Sequence, residues 1–380
     1  MYIFFIICFS ILFIELRFGK SLASPSSLVC ISSIVGVLFA YIGGKFYAFY
    51  QISDSVYIIY SVCLFLFYIP SLFFLRYRQC KKKVLASKPF YKIDFMLFFI
   101  FLLLVILHLI ASFRFGFLGS ESFEKKYSMG VGAHGLNFLI VLSTFSLLYI
   151  RKKLLPLLFV LVSFLLIFVS GTKYHILFII SIVLLSFLYK KPTYNNIVKT
   201  AVLVCLLVFF MFAGNYFIGF ILRGASMDNF MSFVVGHFAK YIGGGFIAMG
   251  RIIDSGDIVP HFLYSEIPNN FNEMILISRK IDEFTNVYTL FGSLLLSHGY
   301  FSLFFHIIII SVLSNIIFYS IKNKYSFLFY AFFIGSPLLM TFFNYYWHLE
   351  NIWEWAFWAI LLGFIKSKQT RFILCRYFKK

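Results

Sequence analysis

Long apolar runs dominate the chain, and the polar residues that interrupt them fall into short, regularly recurring breaks. A helix that crosses a bilayer needs about 20 mostly apolar residues, with roughly 17 to 25 the usual range. Eleven runs approach that length: 1–16, 28–43, 56–75, 93–113, 135–150, 154–170, 174–189, 198–222, 299–321, 325–343 and 351–366. Residues 154–189 form one apolar stretch divided by Ser170-Gly171-Thr172-Lys173, which reads as a tight re-entry turn. The first run, MYIFFIICFSILFIEL, has no basic segment ahead of it and no small-residue cleavage site, so it reads as a span rather than a signal peptide. The expected fold is an all-α polytopic membrane protein of about 11 helices (10–12) with one large periplasmic loop.

Composition agrees. Hydrophobic residues make up 62% and charged residues 12% of the 380 positions, which excludes a soluble domain and a disordered chain. The six cysteines (Cys8, Cys30, Cys63, Cys80, Cys205 and Cys375) lie in or beside apolar runs without a CxxC or Cys/His cluster. They read as small hydrophobes, not as a disulfide framework or a zinc site.

A formal net charge of +19 suggests nucleic acid in a soluble protein, but in this composition it reads as the positive-inside rule. Arg17 and Lys20, residues 76–92, 151–153 and 190–199, Lys322 and Lys324, and the tail from Lys366 carry 23 of the 33 basic residues, and all fall on one side of the eleven-span layout. The other side holds 12 of the 14 acidic residues. The N-terminus is therefore expected outside and the C-terminus in the cytoplasm.

The chain divides into an N-terminal bundle of about eight spans (1–222), a large external loop (223–298) and a C-terminal segment of about three spans with a basic cytoplasmic tail (299–380). A loop this long is functional or disordered. Its amphipathic stretches, 230–247 and 271–281, argue against disorder. No internal repeat supports an inverted-repeat transporter.

No P-loop, dinucleotide fingerprint, HExxH or GxSxG occurs, so any catalysis comes from scattered external residues. Arg114, Arg223, Arg251 and Arg279 are placed to meet phosphates at the membrane surface, where a guanidinium binds two oxygens at once. The bland alternative for each is a headgroup anchor. His134, His175, His237, His261, His298 and His348 lie on or near the external side, and a neutral imidazole there can accept a hydroxyl proton. Carboxylates such as Glu266, Glu273, Asp282 and Glu283 can act as bases or orient sugar hydroxyls, or simply keep the loop soluble. No metal-ligand spacing appears.

Several features together resemble the Wzy-type polymerases of O-antigen and capsule repeat units. They are the many-span layout with one large external loop, Ser170-Gly171-Thr172-Lys173, Tyr241-Ile242-Gly243-Gly244, and Thr285-Asn286-Val287-Tyr288-Thr289-Leu290-Phe291-Gly292. The resemblance implies a glycosyltransferase of the bacterial inner membrane. It would join undecaprenyl-diphosphate-linked oligosaccharide repeat units at the periplasmic face, with no cofactor and no nucleic acid, and with a chain-length regulator and a flippase as candidate partners. Arg223, Arg251, Arg279 and Lys173 would then bind the diphosphate, Tyr241, Tyr288 and Asn286 the sugars, and His298, His261 or Glu273 would serve as base. The chain departs from the pattern at two points: no arginine is followed by ten residues and a glycine, and Thr285-Asn286 stands where related O-antigen ligases carry His-Asn. The second departure argues against a ligase. A flippase is disfavoured by the long loop and the scarcity of charges within spans, and a non-catalytic scaffold is the remaining alternative.

Overall fold

The computed structural model describes residues 1–19, 21–75, 91–115, 230–255, 275–279, 284–285, 288–321 and 324–341, with short pieces and single residues between 126 and 217 and at 354 and 356–361. The chain is mostly helical. The elements are α1 (Tyr2–Ile14), α2 (Pro25–Phe46), α3 (Asp54–Leu75), α4 (Tyr91–Phe115), α5 (Phe230–Ser255), the strand pair β1 (Ile275–Leu276) and β2 (Phe284–Thr285), α6 (Leu290–Tyr319), α7 (Lys324–Tyr330) and α8 (Ser336–Leu339). Three helices are long and apolar enough to cross a membrane among the described residues: Pro25–Phe46, Asp54–Leu75 and Gly299–Tyr319. They coincide with the runs expected at 28–43, 56–75 and 299–321. The Ser170–Lys173 division and most of the runs around it lie outside the described residues.

Large apolar side chains lie on the outside of the bundle as well as in its core. On α1, Phe4, Cys8 and Ile11 face inward while Ile3, Ile6, Phe9 and Phe13 are 58–69% exposed. A helix apolar on all sides with one apolar face open is suited to lipid rather than water. Among the large apolar side chains inside the bundle run small polar contacts between helices. Ser26 hydrogen-bonds Ser71, Asn315 Nδ2 donates to Ser71 Oγ (3.0 Å), and Ser311 donates to the Phe67 carbonyl. In lipid such bonds between helices contribute roughly 0.6 kcal/mol each, and small side chains let the backbones approach.

These contacts set a register. Ser311 meets Phe67, Asn315 meets Ser71, and the Tyr319 ring stacks on Phe74 at 5.4 Å, so α6 runs parallel to α3. Carried back along α6, that register brings Gly299 level with the first turn of α3. Gly299 has φ 82° and ψ 178°, a conformation that favours glycine, and it breaks the helix. The residues before it do not continue away from the bundle. Phe291 lies 5.0 Å from the Tyr60 ring, and the Leu290 amide donates to the Thr341 carbonyl at 2.8 Å. The 290–298 segment therefore folds back into the bundle, with Thr289 as its N-cap accepting from the Gly292 amide at 3.0 Å.

The stretch expected as amphipathic at 230–247 is part of the 26-residue helix α5. It crosses α2 with its closest approach at Gly243, where a Cβ would collide with the Ala40 backbone. Beside that crossing Phe246 is buried against Tyr60 at 4.7 Å. The second amphipathic stretch, 271–281, contains a strand rather than a helix: Ile275 pairs with Thr285 and Leu276 with Phe284. Its run of Ile, Leu and Ile suits a short pleated segment with Ile277 fully buried. This pair is the departure from an all-α fold among the described residues.

Candidate functional site

The site is built where the turn between α2 and α3 meets the strand region. The Tyr50 amide donates to the Ile277 carbonyl and the Arg279 amide to the Ala48 carbonyl, both at 2.9 Å, with Phe49 bridged to Ser278. Phe49 and Ile277 are buried in a small cluster with Ile247, Ile252 and Tyr288, Tyr50 is half-buried against it, and Arg279 is exposed. Ala48 adopts a left-handed φ of 55°, which for a residue with a Cβ costs roughly 1–2 kcal/mol. The strain is offset by the bond its carbonyl accepts from Arg279.

Tyr50 then becomes the meeting point of two cations. The Arg251 guanidinium, from the last turns of α5, lies 4.3 Å from the ring centroid, and that of Arg279 lies 5.5 Å from it. Both arginines are exposed, and among the described residues neither forms an ion pair. The two charges are at most about 10 Å apart. Even at that largest separation they repel by roughly 0.4 kcal/mol in water. Each contact with the ring face contributes about 0.5–1 kcal/mol at an exposed position. The ring therefore gathers two forked donors within about 10 Å of each other. An anion with several oxygens is the chemistry that such a pair accepts. Nearby, Ser55 Oγ donates to Asp254 at 3.4 Å, tying the end of α5 to the start of α3.

Of the residues singled out from the sequence, Arg251 and Arg279 are brought together. Tyr241 is half-buried on α5. Tyr288 is only 4% exposed within the cluster beneath the ladder, so its ring offers little surface to a sugar. The motif from Thr285 to Gly292 has structural work in each described position: Thr285 is paired in the strand, Thr289 caps a helix, and Phe291 is core. His298 stands one residue before the Gly299 break, and its side chain lies outside the described set. Arg223, His261, Glu273, Lys173 and Asn286 also lie outside the described residues. Tyr50 carried no signal in the sequence, because a tyrosine near a membrane surface is commonplace. Among the described residues no three His, Cys, Asp or Glu side chains converge as a metal site.

Compared with protein-family models, with curated proteins and with solved structures, the chain matches none.

Proposed function

We propose that the chain polymerises undecaprenyl-diphosphate-linked oligosaccharide repeat units into O-antigen or capsule polysaccharide at the periplasmic face of a bacterial inner membrane. The observation that carries the reading is the convergence of Arg251 and Arg279 on Tyr50. A glycan leaving its lipid carrier breaks the bond between its anomeric carbon and the diphosphate, and the electron pair stays with the diphosphate. Donors already in place where that charge develops are the largest expected contribution to catalysis. Two guanidiniums preset on one ring meet that demand. The acceptor hydroxyl must also lose a proton, for which the loop offers His298, His261 or Glu273.

Pairings between distant segments support the sidedness of this reading. The 48–50 turn joins 277–279, and the Tyr330 hydroxyl donates to the Ala23 carbonyl at 2.6 Å. Each contact links segments that the basic-residue pattern assigns to one side. The test is the surface polysaccharide of a strain lacking the protein. One repeat unit per lipid anchor is the expected result, whereas full-length chains or the loss of all glycan would contradict the reading.

A further inference from the structure

Among the described residues a groove of about 610 Å³ runs between α1 and α3. Ile3, Phe4 and Ile7 form one wall and Tyr57, Ser61 and Phe65 the other. The Phe4 ring is fully buried where the helices meet, 5.9 Å from Tyr57 and 6.4 Å from Tyr60. Ser61 Oγ donates to the Tyr57 carbonyl at 2.7 Å, so this hydroxyl is satisfied within its own helix. Ile3, Ile58 and Phe65 on the rims are exposed, which leaves the groove open to lipid along its side. Asp54 is the one charged side chain in the lining, at the end where α3 begins. From Asp54 to Leu66 the groove follows α3 for about 18 Å, at 1.5 Å per residue. That is close to the depth of one leaflet, half of a hydrocarbon core of roughly 30 Å.

The mouth of the groove adjoins the two arginines. Asp54 is four residues from Tyr50, at most about 14 Å along the chain. The turn of α5 that carries Arg251 rests on the same first turn of α3. A Cβ on Gly250 would lie 3.0 Å from Ser53 Oγ and 3.3 Å from Val56 Cγ2, and Ser55 Oγ donates to Asp254. Ser55 and Val56 therefore meet α5, while Asp54, Tyr57 and Ile58 on the neighbouring face line the groove. The Asp54 carboxylate repels an anion from the groove itself, and the guanidiniums attract it beside the mouth. A ligand with an anionic head and an apolar tail then has one orientation: head on Arg251 and Arg279, tail along α3.

We propose that the groove between α1 and α3 holds the polyprenyl chain of the lipid carrier while Arg251 and Arg279 hold its diphosphate; the inference rests on the polymerase reading above. The groove has the volume of a site for one small molecule. It takes a length of a single chain and not the paired acyl chains of a phospholipid. A lipid tail leaves lipid to enter it, so the gain is packing against rings and branched side chains rather than release from water. Fit along the walls, not hydrophobicity alone, selects the chain.

The experiment measures binding to the full chain in nanodiscs, with undecaprenyl diphosphate, inorganic diphosphate and phosphatidic acid as ligands. Val62→Trp and Ile58→Trp each place a large ring in the groove from exposed positions one turn apart on α3. At a melting temperature matching wild type, each is expected to weaken undecaprenyl diphosphate binding about tenfold. Inorganic diphosphate, which has no chain, should bind both variants as it binds wild type. Leu72→Trp, also exposed on α3 but beyond the groove, should change neither ligand. Wild-type affinity for undecaprenyl diphosphate in both groove variants, or an equal loss in Leu72→Trp, overturns the assignment. So does phosphatidic acid that competes as well as undecaprenyl diphosphate and is weakened alike, since the groove would then take any phospholipid. The polymerase reading is judged separately, by whether the wild-type protein lengthens lipid-linked repeat units. Polymer from wild type with no effect of the groove variants on binding overturns the groove alone. No polymer, with the tenfold losses present, overturns the polymerase reading and leaves the groove as a polyprenyl diphosphate site.

Discussion

The Arg251 guanidinium lies 4.3 Å from the centroid of the Tyr50 ring, although the two residues come from α5 and from the turn between α2 and α3, some 200 positions apart in the chain. Arg279 reaches the same ring through a backbone ladder in which its own amide bonds Ala48. The ring therefore decides where both charges stand. Tyr50→Ala should weaken diphosphate binding roughly tenfold, from the loss of about 0.5–1 kcal/mol at each cation. Tyr50→Phe should keep most of it, because the ring face and not the hydroxyl does the holding. Titration of detergent-solubilised protein with undecaprenyl diphosphate measures the difference; equal affinities for wild type and Tyr50→Ala would remove the ring from the account.

The crossing of α5 over α2 depends on the missing side chain at Gly243. Gly243→Leu drives a side chain into the Ala40 backbone and should displace the helix that carries Arg251. Overpacking of this kind costs about 1–3 kcal/mol or more. The expected outcome is reduced abundance of folded protein in the membrane, read by thermal aggregation in detergent. A melting temperature unchanged from wild type would mean that the two helices do not approach as described.

How much of this was legible beforehand follows from the kind of interaction involved. The spans at 25–46, 54–75 and 299–319 could be read directly, because a bilayer imposes an apolar run of fixed length that needs no knowledge of partners. The long helix α5 was half visible as an amphipathic stretch; its continuation to Ser255 is stabilised by burial of 242–250, which is a property of α2 and α3 as much as of its own sequence. The strand at Ile275–Leu276 was hidden because short apolar runs suit a helix or a strand equally well. The arginines were marked by their charge and position. Their shared ring was not, since a three-residue ladder between segments some 230 residues apart leaves no local pattern.

Sidedness has its own test. With the large loop external and the C-terminus cytoplasmic, a cysteine at Ser255 should react with a membrane-impermeant thiol reagent in intact cells. A reporter fused after Lys380 should be active only when cytoplasmic. A fusion active only in the periplasm would invert the layout that places Arg251 and Arg279 before the lipid-linked substrate.

If preset guanidiniums drive polymer formation from a lipid diphosphate, the purified protein suffices for it, and reconstitution tests this without other components. Purified protein in liposomes, given undecaprenyl-diphosphate-linked repeat units, should produce a ladder of lengthening glycans and release one undecaprenyl diphosphate for each bond formed. The charge-conserving variants Arg251→Lys and Arg279→Lys should lose most of that activity, because an ammonium keeps the charge but not the two-pronged contact that a guanidinium makes with phosphate oxygens. A membrane anchor, by contrast, tolerates lysine. Liposomes in which the wild-type protein yields no ladder, or in which both lysine variants match it, would contradict the account.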